Sequence, residues 1–234
     1  GLVSPSTFRR YAVVRRNDFV AAVVAFGGVL FLGPLNGLLL AIAQSLLGLV
    51  YRSMQVGVDE MGRVEGEKAA WGSVGNDSSR RTYRGVTVLR PDGPLFWANA
   101  TSVVGHIEMA TRARQPLYAV VLDLEATNQM DTTTAERLDG LLTRLRAEGT
   151  DLYLVRVFGN VRDVLSKSGF LDTLGPDHVW HSIAAGVKAA RAARAAGIDP
   201  ANPFPTPDEV DPLDEPDELD EGAGEQIASK GERP

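Results

Sequence analysis

Thirty-three consecutive residues, Phe19 to Tyr51, contain no Asp, Glu, Lys or Arg. Eighteen or more such residues already point to a membrane segment. A single helix of this length would run about 50 Å, against a hydrocarbon core of about 30 Å. One straight span is therefore a poor fit. Gly27-Gly28 weakens the first half, and Gly33-Pro34-Leu35-Asn36-Gly37 is a strong turn signal at the centre. The pattern predicts two short helices, 19–32 and 37–51, folded as a hairpin. Each arm would be about 20 Å long, too short to span comfortably, so neighbouring protein would have to cover the broken ends. Arg9, Arg10, Arg15 and Arg16 precede the run and Arg52 follows it, which favours both ends on the cytoplasmic side.

The rest of the chain is a mosaic of different composition. Residues 199–234 hold twelve acidic and two basic residues; with a formal total of −6, residues 1–198 carry +4. The acidic balance is thus a property of the tail, whose seven prolines and near lack of aromatics predict a segment without a packed core. There is no cysteine, so disulfides, thiolate metal sites and a cysteine nucleophile are excluded.

Between these ends, strands and helices alternate. Residues 1–18 read as a cytoplasmic basic segment and 52–84 as a polar, glycine-broken linker. Residues 85–197 read as an α/β domain, and 198–234 as the acidic tail. Val86–Leu89, the near-continuous apolar run Leu117–Leu124 and Leu152–Val157 read as strands; Leu117–Leu124 has the look of a strand covered on both faces. Helices are predicted over 102–114, 133–148, 161–167 and 182–196. The second of these carries Leu138, Leu141, Leu142 and Leu145 at helical spacing and stops at Gly149. Strands separated by helices imply a mixed sheet with helices packed on it.

Few residues suggest chemistry. His106, His178 and His181 show neither triad nor metal spacing, and the glycine-rich stretches lack the Lys-Ser/Thr of a phosphate loop. No catalytic residue, metal ligand or cofactor is expected, and no nucleic-acid partner. Asp123 and Asp131 lie near strand ends without forming an acid–base pair. Thr133 and Glu136, three residues apart at a helix start, fit a capping box. Phe96 and Trp97 read as apolar packing at the opening of the domain or as a docking surface.

Several stretches together resemble one family. Asp92-Gly93-Pro94-Leu95-Phe96-Trp97-Ala98-Asn99-Ala100 is similar to the segment that opens the STAS domain of SulP (sulfate permease) transporters. Val120–Leu124 followed by Met130-Asp131-Thr132-Thr133 resembles the core of STAS domains, and Leu152–Val157 with Val161–Leu165 and Ser168-Gly169-Phe170 resembles their end. Met61–Gly66 looks like the connector from the last membrane helix. Thr134 stands where the family usually has glycine, and Met130 where it has isoleucine. The resemblance implies a STAS-type α/β domain behind the last two membrane segments of a larger bundle. It implies a multi-pass inner (plasma) membrane protein with the STAS domain and C-terminus cytoplasmic. It further implies the C-terminal portion of a secondary transporter of sulfate or a related inorganic anion such as bicarbonate or chloride. Its partners would be membrane lipid, the remaining membrane domain and a second copy in a homodimer, with the STAS domain serving folding, dimerisation and regulation rather than catalysis. In free-standing STAS regulators of sigma factors the hydroxyl residue just after the Asp is phosphorylated; here that residue is Thr132. The alternative implied is therefore a membrane-tethered signalling module switched by phosphorylation at Thr132.

Overall fold

Gly33 alone separates two apolar helices in the computed structural model, which describes residues 16–64, 66 and 70–196. The expectations for the basic segment before Arg16 and for the acidic tail lie outside the described residues. Helix α1 covers Arg16–Leu32 and α2 covers Pro34–Met54. The break is narrower than the five-residue turn read from the sequence. Pro34 takes the first position of α2, where its missing N–H costs nothing, and Gly33 adopts φ 83°. Asn36 donates from its side chain to the Leu32 carbonyl (3.0 Å), so it closes the end of α1 from within α2. Gly37 is not a turn residue. It is helical and buried where the arms cross; a Cβ there would stand 2.5 Å from the Val29 Cα and backbone nitrogen. Because α2 starts three residues earlier and ends three later than expected, its 21 residues run about 31 Å. By length and composition α2 is sufficient to cross a membrane, which corrects the expectation of a too-short arm for α2 alone; the apolar part of α1, Ala22–Leu32, stays short. Phe26, Phe31, Leu35 and Leu47 point outward, each well over half exposed.

The second compact unit begins at Val56. Its six-stranded sheet has the order β2-β1-β3-β4-β5-β6. The strands are β1 (Val58–Arg63), β2 (Trp71–Ser73), β3 (Val86–Pro91), β4 (Ala119–Asp123), β5 (Asp151–Val155) and β6 (Val179–Trp180). Strands β3 to β6 are parallel, and β1 pairs antiparallel with both β2 and β3. Helices α3 (Ala100–Ala113), α4 (Thr132–Ala147), α5 (Gly159–Lys167) and α6 (Phe170–Leu174) share one apolar cluster with Val120, Leu122, Leu152 and Leu154. Helix α7 (Ile183–Ala196) packs with the alternate residues Ala119, Val121, Tyr153 and Val155. All five residues of β4 are buried, as its unbroken apolar pattern requires. Gly186 lets α7 lie against the sheet: a Cβ there would come within 2.5 Å of a Val155 methyl.

The main departure from expectation is the segment 52–84. It is no free linker, since it supplies β1 and β2 and joins the sheet. Its apolar content is slight, but Val56 and Met61 are buried, one in each core cluster. These strands are held chiefly by backbone pairing, with no apolar alternation for a sequence reading to find.

Candidate functional site

The parallel strands β3, β4 and β5 all end on one edge of the sheet, the edge where open α/β sheets gather functional groups. There the 92–99 loop is sewn to the 124–131 loop. Leu95 N donates to the Gln129 carbonyl (2.9 Å), and the Thr127 hydroxyl donates to the Gly93 carbonyl (3.2 Å). Asn99, fully buried, accepts from Phe96 N and donates to the Pro94 carbonyl, both at 2.9 Å. The turn that presents Phe96 and Trp97 is thus rigidly braced. Phe96 is half-buried and meets Trp97 edge-on, with ring centroids 6.4 Å apart. Trp97 itself is 69% exposed.

Asp131 ties this turn to α4. Its carboxylate accepts from Trp97 N (2.7 Å), Thr134 N (2.9 Å) and the Thr134 hydroxyl (2.7 Å). Burial alone would raise its pKa; the bonds from the Thr134 side chain, Thr134 N and Trp97 N outweigh burial and hold it below the usual carboxylate value. Asp131 is therefore the N-cap of α4. This corrects the expected capping box at Thr133 and Glu136: both lie inside the helix and are exposed. Asp131 prevails because it is one residue before the helix, in extended backbone, where a cap must sit. Thr132 is the first helical residue and is exposed beside that carboxylate.

A second constellation at the same edge has no counterpart in the sequence reading. Asp123, completely buried at the end of β4, accepts from Arg90 Nε and from Arg156 Nε and Nη2. Glu125, nearly half exposed, bridges the same two guanidinium groups at 3.3 and 2.8 Å. The ends of three strands are thus tied by two arginines and two acids. Arg156 holds a left-handed backbone, φ 55°, which a non-glycine residue adopts only under constraint; the fork onto Asp123 and the bond from Arg156 N to the Trp180 carbonyl supply it. Asp59 lies in register with Arg90. Burial and the charge of Asp59 raise the pKa of Asp92, with Arg90 opposing. Asp59, Asp92, Asp123 and Glu125 outnumber Arg90 and Arg156 along this edge, and the arginines serve as ties between strands. The only sequence signal was one acid and one base inside otherwise apolar strand runs.

The histidines stay apart from this edge's chemistry. His178 stacks on Tyr153 at 4.7 Å, while His106 and His181 are exposed. Burial, then the charge of Asp151, pushes Tyr153 up to about 12. Among the described residues no group of three or more His, Asp or Glu is placed to hold a metal ion.

Residues 78–186 match the family model of the STAS domain. The probable sulfate transporter of Mycobacterium tuberculosis strain H37Rv is 30% identical over 191 residues, which is 81% of this chain and 34% of that protein. Low affinity sulfate transporter 3 of Stylosanthes hamata is 29% identical over 196 residues, 78% of this chain and 30% of that protein. The chain thus spans about a third of the length of the curated relatives it matches. Among solved structures, murine Solute Carrier 26 family member A9, an anion transporter in the inward-facing state, shares the fold. Its TM-score is 0.71 at 20% identity, over 82% of this chain and 31% of that one.

Proposed function

The chain belongs to the SulP (sulfate permease) family and carries that family's STAS domain, and from this we propose that it is the carboxyl-terminal portion of a secondary transporter of sulfate or a related inorganic anion. One observation carries the reading. The likeness to the mycobacterial protein runs over 191 residues, well beyond the 109 of the STAS match, so it takes in more than the α/β domain. The apolar hairpin ahead of that domain gives the extra length a physical meaning. Its outward-facing Phe26, Phe31, Leu35 and Leu47 need lipid or further helices around them. In this reading the hairpin closes a membrane bundle of the inner membrane, and the STAS domain faces the cytoplasm, where it assists folding, dimer contacts and regulation. The relatives are named as transporters, not enzymes.

Regulation centres on the Asp131 turn. A phosphate on Thr132 would add close to two negative charges beside a carboxylate that hydrogen bonds keep ionised. The repulsion would loosen both the α4 cap and the bond to Trp97 N. Trp97, exposed on a braced turn, is then the docking residue whose position the switch controls. Phosphopeptide mapping of the native protein tests this; Thr132 found always unmodified sinks it. The signalling-module alternative shares this switch and uses the hairpin as its membrane tether, but the relatives are named as transporters, which supports the first reading.

Uptake into liposomes by the full-length protein, with sulfate, bicarbonate and chloride compared, tests transport. Uptake above empty liposomes for at least one anion is expected. Rates equal to empty liposomes for all three would overturn the reading.

A further inference from the structure

The opposite, amino edge of the parallel strands carries the reverse charge. Helix α7 contains Lys188, Arg191 and Arg194 and no acid. Its last two turns lie over tyrosines that precede the strands: the Arg191 guanidinium is 5.8 Å from the Tyr83 ring, and that of Arg194 is 5.7 Å from the Tyr118 ring. Tyr83 in turn lies 6.0 Å from Trp71. Beside them Arg63 and Arg81 form an antiparallel bridge, exchanging both backbone hydrogen bonds at 2.8 and 3.1 Å. Residues so paired project to one face. Arg63 is two residues from Met61 and so shares the α7 face of the sheet. Arg84 follows Tyr83 and is exposed. In the sequence, residues 63–84 hold five bases against three acids and residues 183–196 three bases against none, so both stretches are formally positive.

The same chain carries the complementary charge. Nine of the fourteen residues from Asp208 to Glu221 are acidic, with no base among them. That stretch begins twelve residues after Ala196, the last residue of α7. Twelve residues reach up to roughly 40 Å, and α7 is only about 21 Å long. The acidic run therefore reaches every point of the cationic face from its own attachment point. The chain enters the domain at the other edge, where Val56 lies by Gly93. We propose that the acidic segment Asp208–Glu221 docks on the cationic face of α7 and the Arg63–Arg84 stretch of its own chain, as an intramolecular cover. Being tethered, it acts at a high effective concentration and shields the face from other polyanions.

Zero-length carbodiimide coupling tests this on the full chain in detergent, since the four lysines, Lys68, Lys167, Lys188 and Lys230, report by position. Lys167, in the last turn of α5 on the other side of the sheet, is the internal control. Expected are amide links from Lys188 to residues 208–221 several-fold above those from Lys167. They fall steeply between about 0.01 M and about 1 M salt, as the screening length drops from about 30 Å to about 3 Å. Arg84→Gln, a change at an exposed site, lowers the Lys188 yield without altering that of Lys167. Equal yields at Lys188 and Lys167, or yields indifferent to salt, would overturn the proposal. So would links found mainly between chains in a mixture of isotope-labelled and unlabelled protein. The coupling pattern does not depend on transport, so it can fail while anion uptake succeeds, and the reverse.

Discussion

Asp131 accepts three hydrogen bonds, two from Thr134 in the first turn of α4 and one from Trp97 N in the 92–99 loop. Removing it with Asp131→Ala is expected to cost about 1–2 kcal/mol in urea unfolding, the size of a lost N-cap. Thr133→Ala and Glu136→Ala should stay within about 0.5 kcal/mol of wild type, as exposed helix positions do. The pH dependence follows from the direction of the shift. The folded carboxyl titrates below its ordinary value of 3.8. Its stabilisation is therefore whole above that value and is lost as pH falls through the lower, folded one. The stability gap between wild type and Asp131→Ala should be flat from neutrality to about pH 5 and shrink below about pH 4. A gap that grows on acidification contradicts the assignment. Asp123 is a harsher case. It is completely buried against two guanidinium groups, and Asp123→Asn leaves them without their main counter-charge. A loss of about 3–5 kcal/mol in chemical denaturation is expected. Neither role was visible in the residues alone. The Thr133–Glu136 spacing fits a capping box, but the choice of cap depends on Trp97 N arriving from another loop. The Asp123 cluster joins residues 33 positions apart on either side, a separation no local pattern reports.

At the scale of elements, two glycines decide how closely helices approach their partners. Gly37 admits α1 against α2, and Gly186 admits α7 against the sheet. A Cβ at Gly37 meets backbone atoms of Val29, which cannot swing aside. Gly37→Val should part the arms and raise hydrogen exchange across 22–48 in the full chain. Unchanged protection there would mean that the crossing is not held by this contact. At Gly186 the obstacle is a Val155 methyl, so Gly186→Ala should cost about 1–3 kcal/mol by overpacking. Helix existence was legible from apolar spacing, since Leu138, Leu141, Leu142 and Leu145 fall on one buried face. Gly37 was misread as a turn because Gly33-Pro34 and Asn36-Gly37 are both turn dipeptides, and only the crossing arm explains it.

For the whole molecule, the boundary of the domain is the point of consequence. Residues 85–197, the extent expected from the sequence, omit β1 and β2. A fragment of that extent would bare the edge of β3, an otherwise buried strand, and leave Leu89 and Val88 without Val56 and Met61. A fragment of residues 56–197 should unfold cooperatively and stay monodisperse, whereas 85–197 should aggregate through the open strand. Size-exclusion chromatography of the two side by side decides this; equal behaviour would mean that β1 adds nothing to the sheet.

The sequence by itself determined that an uncharged stretch folds as a helical hairpin and that alternating apolar strands and helices follow it. Both rest on composition and periodicity, which act locally and survive without any knowledge of contacts. It also carried the likeness to the SulP family, because motifs are strings. Only the tertiary structure decided that the glycine-rich stretch after the hairpin completes the sheet. Backbone pairing recruits a strand without asking for an apolar pattern. The tertiary structure likewise decided that Asp131, not Thr133, starts α4, and that Arg90, Asp123, Glu125 and Arg156 tie three strand ends together. A buried charge is tolerable only where distant partners converge on it, and that convergence is a property of the fold.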